Sequence, residues 1–198
     1  PRFWTVAAAG GPETALALPR GYQGKIAPDG RRIAYRMNTS WDEERRNYKG
    51  GQNKAIWIAD MTTWDVVTPP WTGSKEMDPV WLGDTVYFLS DRDGVSNVWS
   101  YAAATKQLVQ VTRFTDFDVK TLGAGGGVLV FEQAGAVHLF DPKAGKPVVV
   151  PIRVSGDFPW MMPHWEEVTS RIANLGVSPT GKRVEDAARG EIFTVPAD

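Results

Sequence analysis

Thr85-Val86-Tyr87-Phe88-Leu89-Ser90-Asp91-Arg92-Asp93-Gly94-Val95-Ser96-Asn97-Val98-Trp99-Ser100-Tyr101 is the stretch that decides the fold. Its first part, to Ser90, is apolar at successive rather than alternate positions, the pattern of a strand buried on both faces. Asp91–Gly94 has the residues of a tight turn, with Gly94 able to take positive φ. Val95–Tyr101 resumes the strand pattern. Working outward, Pro79–Leu82 reads as a short strand turned by Gly83-Asp84. Ala102–Lys106 turns into a more polar outer strand, Gln107–Thr112. The expected product is a four-stranded antiparallel meander.

The same phrase recurs along the chain. Phe3-Trp4-Thr5-Val6, Ile56-Trp57-Ile58, Asn97-Val98-Trp99, Val137-His138-Leu139-Phe140 and Ile192-Phe193-Thr194-Val195 each set an aromatic residue among strand formers. Trp57 to Trp99 is 42 residues and Trp99 to His138 is 39. Four-stranded blades of β-propellers repeat at roughly 40–45 residues, and a blade needs neighbours to cover its two faces. The expected fold class is therefore all-β, an incomplete β-propeller of about three whole four-stranded antiparallel blades with partial blades at both ends. In the first whole blade the strands are Tyr22–Ala27, Arg31–Arg36 (Ile33 and Tyr35 sharing a face), Lys54–Asp60 and Asp65–Thr68. In the third they are Val119–Leu122, Val128–Glu132, Ala136–Asp141 and Lys146–Ile152, with turns at Gly123–Gly127 and Ala134-Gly135. Arg2–Val6 and Thr14–Leu18 read as the end of a preceding blade. Residues 153–170, with Pro159 to Pro163 at their centre, break the pattern and read as a connector. Residues 171–198 open a further blade, in which Glu185 and Asp186 fit poorly with a buried strand over Arg183–Ala188. The chain begins without Met and is already in strand pattern at Phe3, so it reads as an internal piece of a longer protein. Such an open arc is expected to leave apolar blade faces uncovered and to be poorly soluble by itself.

Composition narrows the function. Hydrophobic content of 42% with 11% aromatic residues suits packed cores rather than disorder. A net charge of −1 supplies no basic face, so nucleic acid is not an expected partner. The chain has no cysteine, which excludes disulfides and thiol catalysis. No apolar run approaches the roughly 20 residues of a membrane-spanning helix, and no membrane association is expected.

Candidate chemistry is sparse. Ser90–Gly94 lacks the third carboxylate and distal Glu of a calcium loop and reads as a hairpin turn. Gly123–Gly127 leads into a strand rather than a helix N-terminus, so it is no phosphate cradle. His138 and His164 lie far apart and no Cys accompanies them, a poor metal set. The acid pairs Glu43-Glu44 and Glu166-Glu167 lie in expected loops and do not define a glycosidase pair. No catalytic residue, cofactor or metal is assigned. The best functional candidate is the loop Trp41-Asp42-Glu43-Glu44-Arg45-Arg46-Asn47-Tyr48-Lys49-Gly50-Gly51. It is long for a hairpin, and long loops in compact domains tend to be functional. Arg45, Arg46 and Lys49 are its candidate substrate-binding residues, since Arg can hold a carboxylate through two parallel hydrogen bonds. The alternative is a solvated loop pinned by Trp41 and Tyr48.

Several of these stretches resemble the propeller region of tricorn-type serine proteases and, more distantly, TolB-like propellers. They are Ala27-Pro28-Asp29-Gly30-Arg31-Arg32-Ile33-Ala34-Tyr35, Tyr48-Lys49-Gly50-Gly51 ahead of Ile56-Trp57-Ile58, Tyr87–Gly94, Gln110–Asp116, and Ser178-Pro179-Thr180-Gly181-Lys182-Arg183 leading to Gly190–Ala197. The resemblance implies that residues 1–152 are the second half of a six-bladed ring and that residues 171–198 start a seven-bladed one. It implies a non-catalytic segment of a cytoplasmic, hexameric peptidase that trims oligopeptides to short peptides, its propellers gating or guiding the peptides and its catalytic residues lying outside this chain. A TolB-like protein-binding propeller is the alternative, and a carbohydrate-active propeller a weaker one.

Overall fold

The computed structural model describes residues 1–37, 39 and 47–197. The chain divides into two units, Pro1–Ile152 and Arg153–Asp198. Within the first, β1 (Trp4–Thr5) and β2 (Thr14–Ala15) form a two-stranded ribbon. Three four-stranded antiparallel meanders follow among the described residues. The first contains β3 (Tyr22–Ile26), β4 (Arg32–Arg36), β5 (Trp57–Asp60) and β6 (Val66–Val67). The second contains β7 (Glu76–Leu82), β8 (Thr85–Ser90), β9 (Asn97–Ala102) and β10 (Gln107–Gln110). The third contains β11 (Val119–Gly125), β12 (Val128–Gln133), β13 (Ala136–Phe140) and β14 (Pro147–Val149).

Strand alternation explains why β8 is apolar throughout. Successive side chains leave a strand on opposite faces. Val86 and Phe88 enter a core with Ala27, Ala34, Ile56 and Ile58 of the first meander. Tyr87 and Leu89 enter a second core with Leu122, Leu129, Phe131 and Phe140 of the third. The middle sheet is thus covered on both faces, and its first strand β7 lies against both β3 and β11. Ile33 and Tyr35 share the other face of the first meander, in a core with Leu18 and Phe3. Phe3 meets Tyr35 edge to face at 5.7 Å. On the third meander only alternate residues are covered: Leu129 and Phe131 are buried, while Val130, Leu139 and Val148 are exposed. The recurring aromatic positions are equivalent in register, because Tyr35 pairs with Trp57, Phe88 with Trp99 and Phe131 with His138.

Polar contacts tie the sheets together. Trp81 Nε1 donates to the Lys25 carbonyl at 2.9 Å, and Arg32 reaches Asp84 at 2.7 Å. The first strand of each meander carries a register shift, between Tyr22 and Lys25, Met77 and Val80, and Val119 and Thr121. Gln23 and Asp78 sit in the first two at φ 50° and 49° and bond to each other at 2.8 Å. Such bulges bend a strand sharply, and Pro79 is tolerated where the ladder is already interrupted.

The expected turn at Gly123–Gly127 is shorter than its glycine content suggested. Gly123, Ala124 and Gly125 pair with Val130, Leu129 and Val128, so they belong to β11. Gly126 and Gly127 alone form the turn, at φ 58° and 85°, the type I′ geometry that matches the twist of a hairpin.

In the second unit, 3₁₀ turns at Pro159–Met161 and Thr169–Arg171 precede a three-stranded meander of β15 (Ile172–Val177), β16 (Arg183–Ala188) and β17 (Glu191–Pro196). Arg183–Ala188 is a strand despite its acids. Glu185 is exposed and Asp186 half-buried, so neither carboxylate is taken fully out of water.

Candidate functional site

Antiparallel order places alternate connections of the first unit on the same face. The β4–β5, β6–β7, β8–β9, β10–β11 and β12–β13 connections emerge together, and the long loop is the first of them. Of its candidate binding residues, Arg45 and Arg46 lie outside the described residues, as does the expected anchor Trp41. Lys49 is exposed and lies beside Gly73 of the β6–β7 connection.

The base of this loop is built on the second meander. Asn53 is buried, and its side-chain amide donates to the carbonyls of both Tyr48 and Gly73, the latter at 2.9 Å. Its main-chain N–H closes a turn onto the Gly50 carbonyl at 3.1 Å. Tyr48 folds back so closely over Gly50 that a Cβ there would collide with its ring. Asn47 takes a left-handed φ of 56°, and its N–H donates to Asp91 Oδ2 at 3.2 Å. The other Asp91 oxygen accepts the Lys75 N–H at 2.8 Å, while Gly94 N closes the tight turn onto the Asp91 carbonyl. Ser90–Gly94 is therefore a hairpin turn whose buried carboxylate serves two main-chain amides from other segments.

Beneath that turn lies a buried ion pair. Glu76, at the start of β7, is 1% exposed. It accepts the Ile56 N–H at 2.8 Å on one oxygen and the Arg92 guanidinium on the other. Arg92 also donates to Ser90 Oγ and the Pro70 carbonyl, and its guanidinium lies 4.6 Å from the Trp99 ring centre. Burial pushes the Glu76 carboxyl up to about 7, against the opposing pull of the Ile56 amide and Arg92. At the matching position of the next sheet the half-buried Asp118 likewise accepts a main-chain amide, the Ser96 N–H at 2.8 Å. Sequence reading passed over both, although Glu76 and Asp118 stand 42 residues apart, one repeat.

Two shallow clefts open where the first strands meet. One of about 240 Å³ is lined by Gln23, Lys25, Asp78, Val80 and Leu122. The other, about 340 Å³, continues along Ile26, Trp81 and Ala124. The histidines do other work. His138 is buried, stacked 5.1 Å from Phe131 with ring planes 4° apart. His164 is exposed and lies 3.7 Å from Glu166, which also pairs with Arg189 at 3.0 Å. Glu167 accepts hydrogen bonds from Thr169.

Consecutive four-stranded meanders, packed face to face with their first strands adjacent, are blades of a β-propeller. Residues 1–146 match the model of the tricorn protease N-terminal beta propeller domain, and the chain belongs to that family. Over 159 residues it is 26% identical to a tricorn protease homolog of Saccharolobus solfataricus, covering 75% of this chain and 14% of that protein. The crystal structure of the tricorn protease superposes with a TM-score of 0.64 at 21% identity, over 98% of this chain and 18% of that one. TolB from Acinetobacter baumannii is similar in fold, with a TM-score of 0.54 at 14% identity over 100% of this chain and 49% of that one. The chain thus spans about one seventh of the length of curated relatives it matches.

Proposed function

We propose that this chain is a non-catalytic propeller segment of a tricorn-like serine peptidase that degrades oligopeptides to short peptides. In this reading the blades guide peptides and support assembly, and bond cleavage belongs to parts of the protein outside this chain. The observation that carries it is the family match over residues 1–146, the ribbon, two whole blades and the first three strands of the third. Residues 1–152 would supply the second half of a six-bladed ring, residues 153–170 the connector and residues 171–198 the start of a seven-bladed ring. The uncovered alternate face of the third blade, with Val130, Leu139 and Val148, supports this, because closing a ring would cover it. Arg45, Arg46 and Lys49 would contact peptide carboxylates from the loop-bearing face. The protein would act in the cytoplasm as a homo-oligomer, a hexamer as in the family it resembles.

Charge reversal of Arg45, Arg46 and Lys49 in the full-length protein tests the loop. The expected result is slower cleavage of acidic peptides with neutral ones spared; unchanged kinetics on both would remove the loop from the mechanism. A second reading, a TolB-like protein-binding propeller, draws on the fold similarity to TolB. The full-length protein cleaving no peptide while retaining a protein partner would favour it.

A further inference from the structure

We propose that Asn53 and Asp91 are positioning residues, a clamp that fixes where the β4–β5 loop presents Lys49. The inference rests on the reading of that loop as the peptide contact. Lys49 sits between two carbonyls, of Tyr48 and Gly50, that Asn53 takes with its side chain and its main chain. The same side chain reaches Gly73 in the β6–β7 connection, so the turn carrying Lys49 is referenced to the entry into the second blade and not only to its own strands. Asp91 does likewise one step earlier. Its carboxylate holds the N–H of Asn47, two residues before Lys49. Both groups are buried, Asn53 7% exposed and Asp91 4%, so neither touches a peptide directly. Burying a carboxylate is costly, and Asp91 gives one oxygen to this loop and the other to Lys75. A loop that places a point charge on a substrate gains from such a fix, because small misplacements of a binding group are expensive. Asp91 also spans Asn47 and Lys75, so the β4–β5 and β6–β7 connections share one carboxylate.

Peptide hydrolysis by the full-length protein tests this. The variants are Asn53→Ala, Asp91→Asn, Lys49→Ala and the double Asp91→Asn/Lys49→Ala, and the probes are an acidic peptide and its neutral analogue. The expected result is a KM for the acidic peptide raised roughly tenfold by either clamp variant, with kcat and the neutral peptide little changed. Lys49→Ala should add almost nothing once Asp91 is gone, since coupled residues are not additive. If Lys49→Ala raises KM while both clamp variants leave it untouched, the clamp is overturned and the loop reading stands. If Lys49→Ala and reversal of Arg45 and Arg46 all leave KM unchanged, the loop reading fails and the clamp falls with it. Equal losses on acidic and neutral peptides would make the two residues merely structural and overturn the proposal. Should Asn53→Ala not fold, Asn53→Ser is measured in its place, with the same outcomes.

Discussion

Replacing Glu76 with Ala removes the carboxylate that joins the first two blades. Two groups lose a partner at once. The Ile56 N–H, bonded at 2.8 Å, is left without its acceptor, which costs about 1–3 kcal/mol for a buried donor. Arg92, whose side chain is 7% exposed, keeps Ser90 and Pro70 but loses its counter-charge. Breaking a buried pair from one side costs about 3–5 kcal/mol in all, since the stranded charge dominates. Native-state hydrogen exchange reads this locally, on peptides covering β5 and β8 in the intact protein. A loss of about 3–5 kcal/mol should speed exchange there by roughly two to four orders of magnitude. The double variant Glu76→Leu/Arg92→Leu should recover part of the loss, because the stranded charge goes while the Ile56 N–H stays without its acceptor. Exchange speeded less than about tenfold by Glu76→Ala would refute the reasoning. So would a double variant as damaged as the single one.

The same carboxyl gives a pH signature. Its folded value is about 7 against an ordinary 4.5, so the folded state binds the proton more tightly. Its contribution is fully present below about 4.5 and is lost as pH rises through about 7, a change of about 3 kcal/mol at most. Urea unfolding of Glu76→Gln should lack that slope over pH 4.5 to 7 relative to the parent. Phe88→Ala empties a fully buried site between the first two blades and should cost about 3–5 kcal/mol by the same denaturation. The hairpin turns should respond with opposite signs. Gly127→Ala at φ 85° should destabilise, and Ala134→Gly at φ 52° should stabilise, each by about 1 kcal/mol; equal signs in thermal melts would contradict the assigned turn geometry.

Strand pattern and period carried most of the fold because each blade repeats one grammar. Val86–Leu89 announced two-sided burial by being apolar at every position, and Gly83-Asp84 and Ala134-Gly135 marked their hairpins. The site was less legible, for physical reasons. Turn residues mask network residues: Asp91 and Arg92 belong to a hairpin by composition, yet their side chains serve groups far away in sequence. Nothing local to Glu76 says that it will be buried, since its partners Ile56 and Arg92 arrive from two different blades. The bulges put their positive φ on Gln23 and Asp78, residues that do not announce it, although Gly24 stands beside the first. At Gly123–Gly125 the opposite happened, and glycines that look like loop turned out to pair in register with β12. Glu185 and Asp186 were a poor fit only under the premise of full burial, which their strand does not impose.

Addition of a non-hydrolysable acidic peptide to the full-length protein, followed by hydrogen exchange over residues 47–53 and 69–76, tests the central claim most directly. The account predicts slowed exchange in both segments together, since Asn53 and Asp91 tie them, and the loss of that effect in Asp91→Asn. Peptide binding that slows exchange elsewhere and leaves both segments unchanged would contradict it.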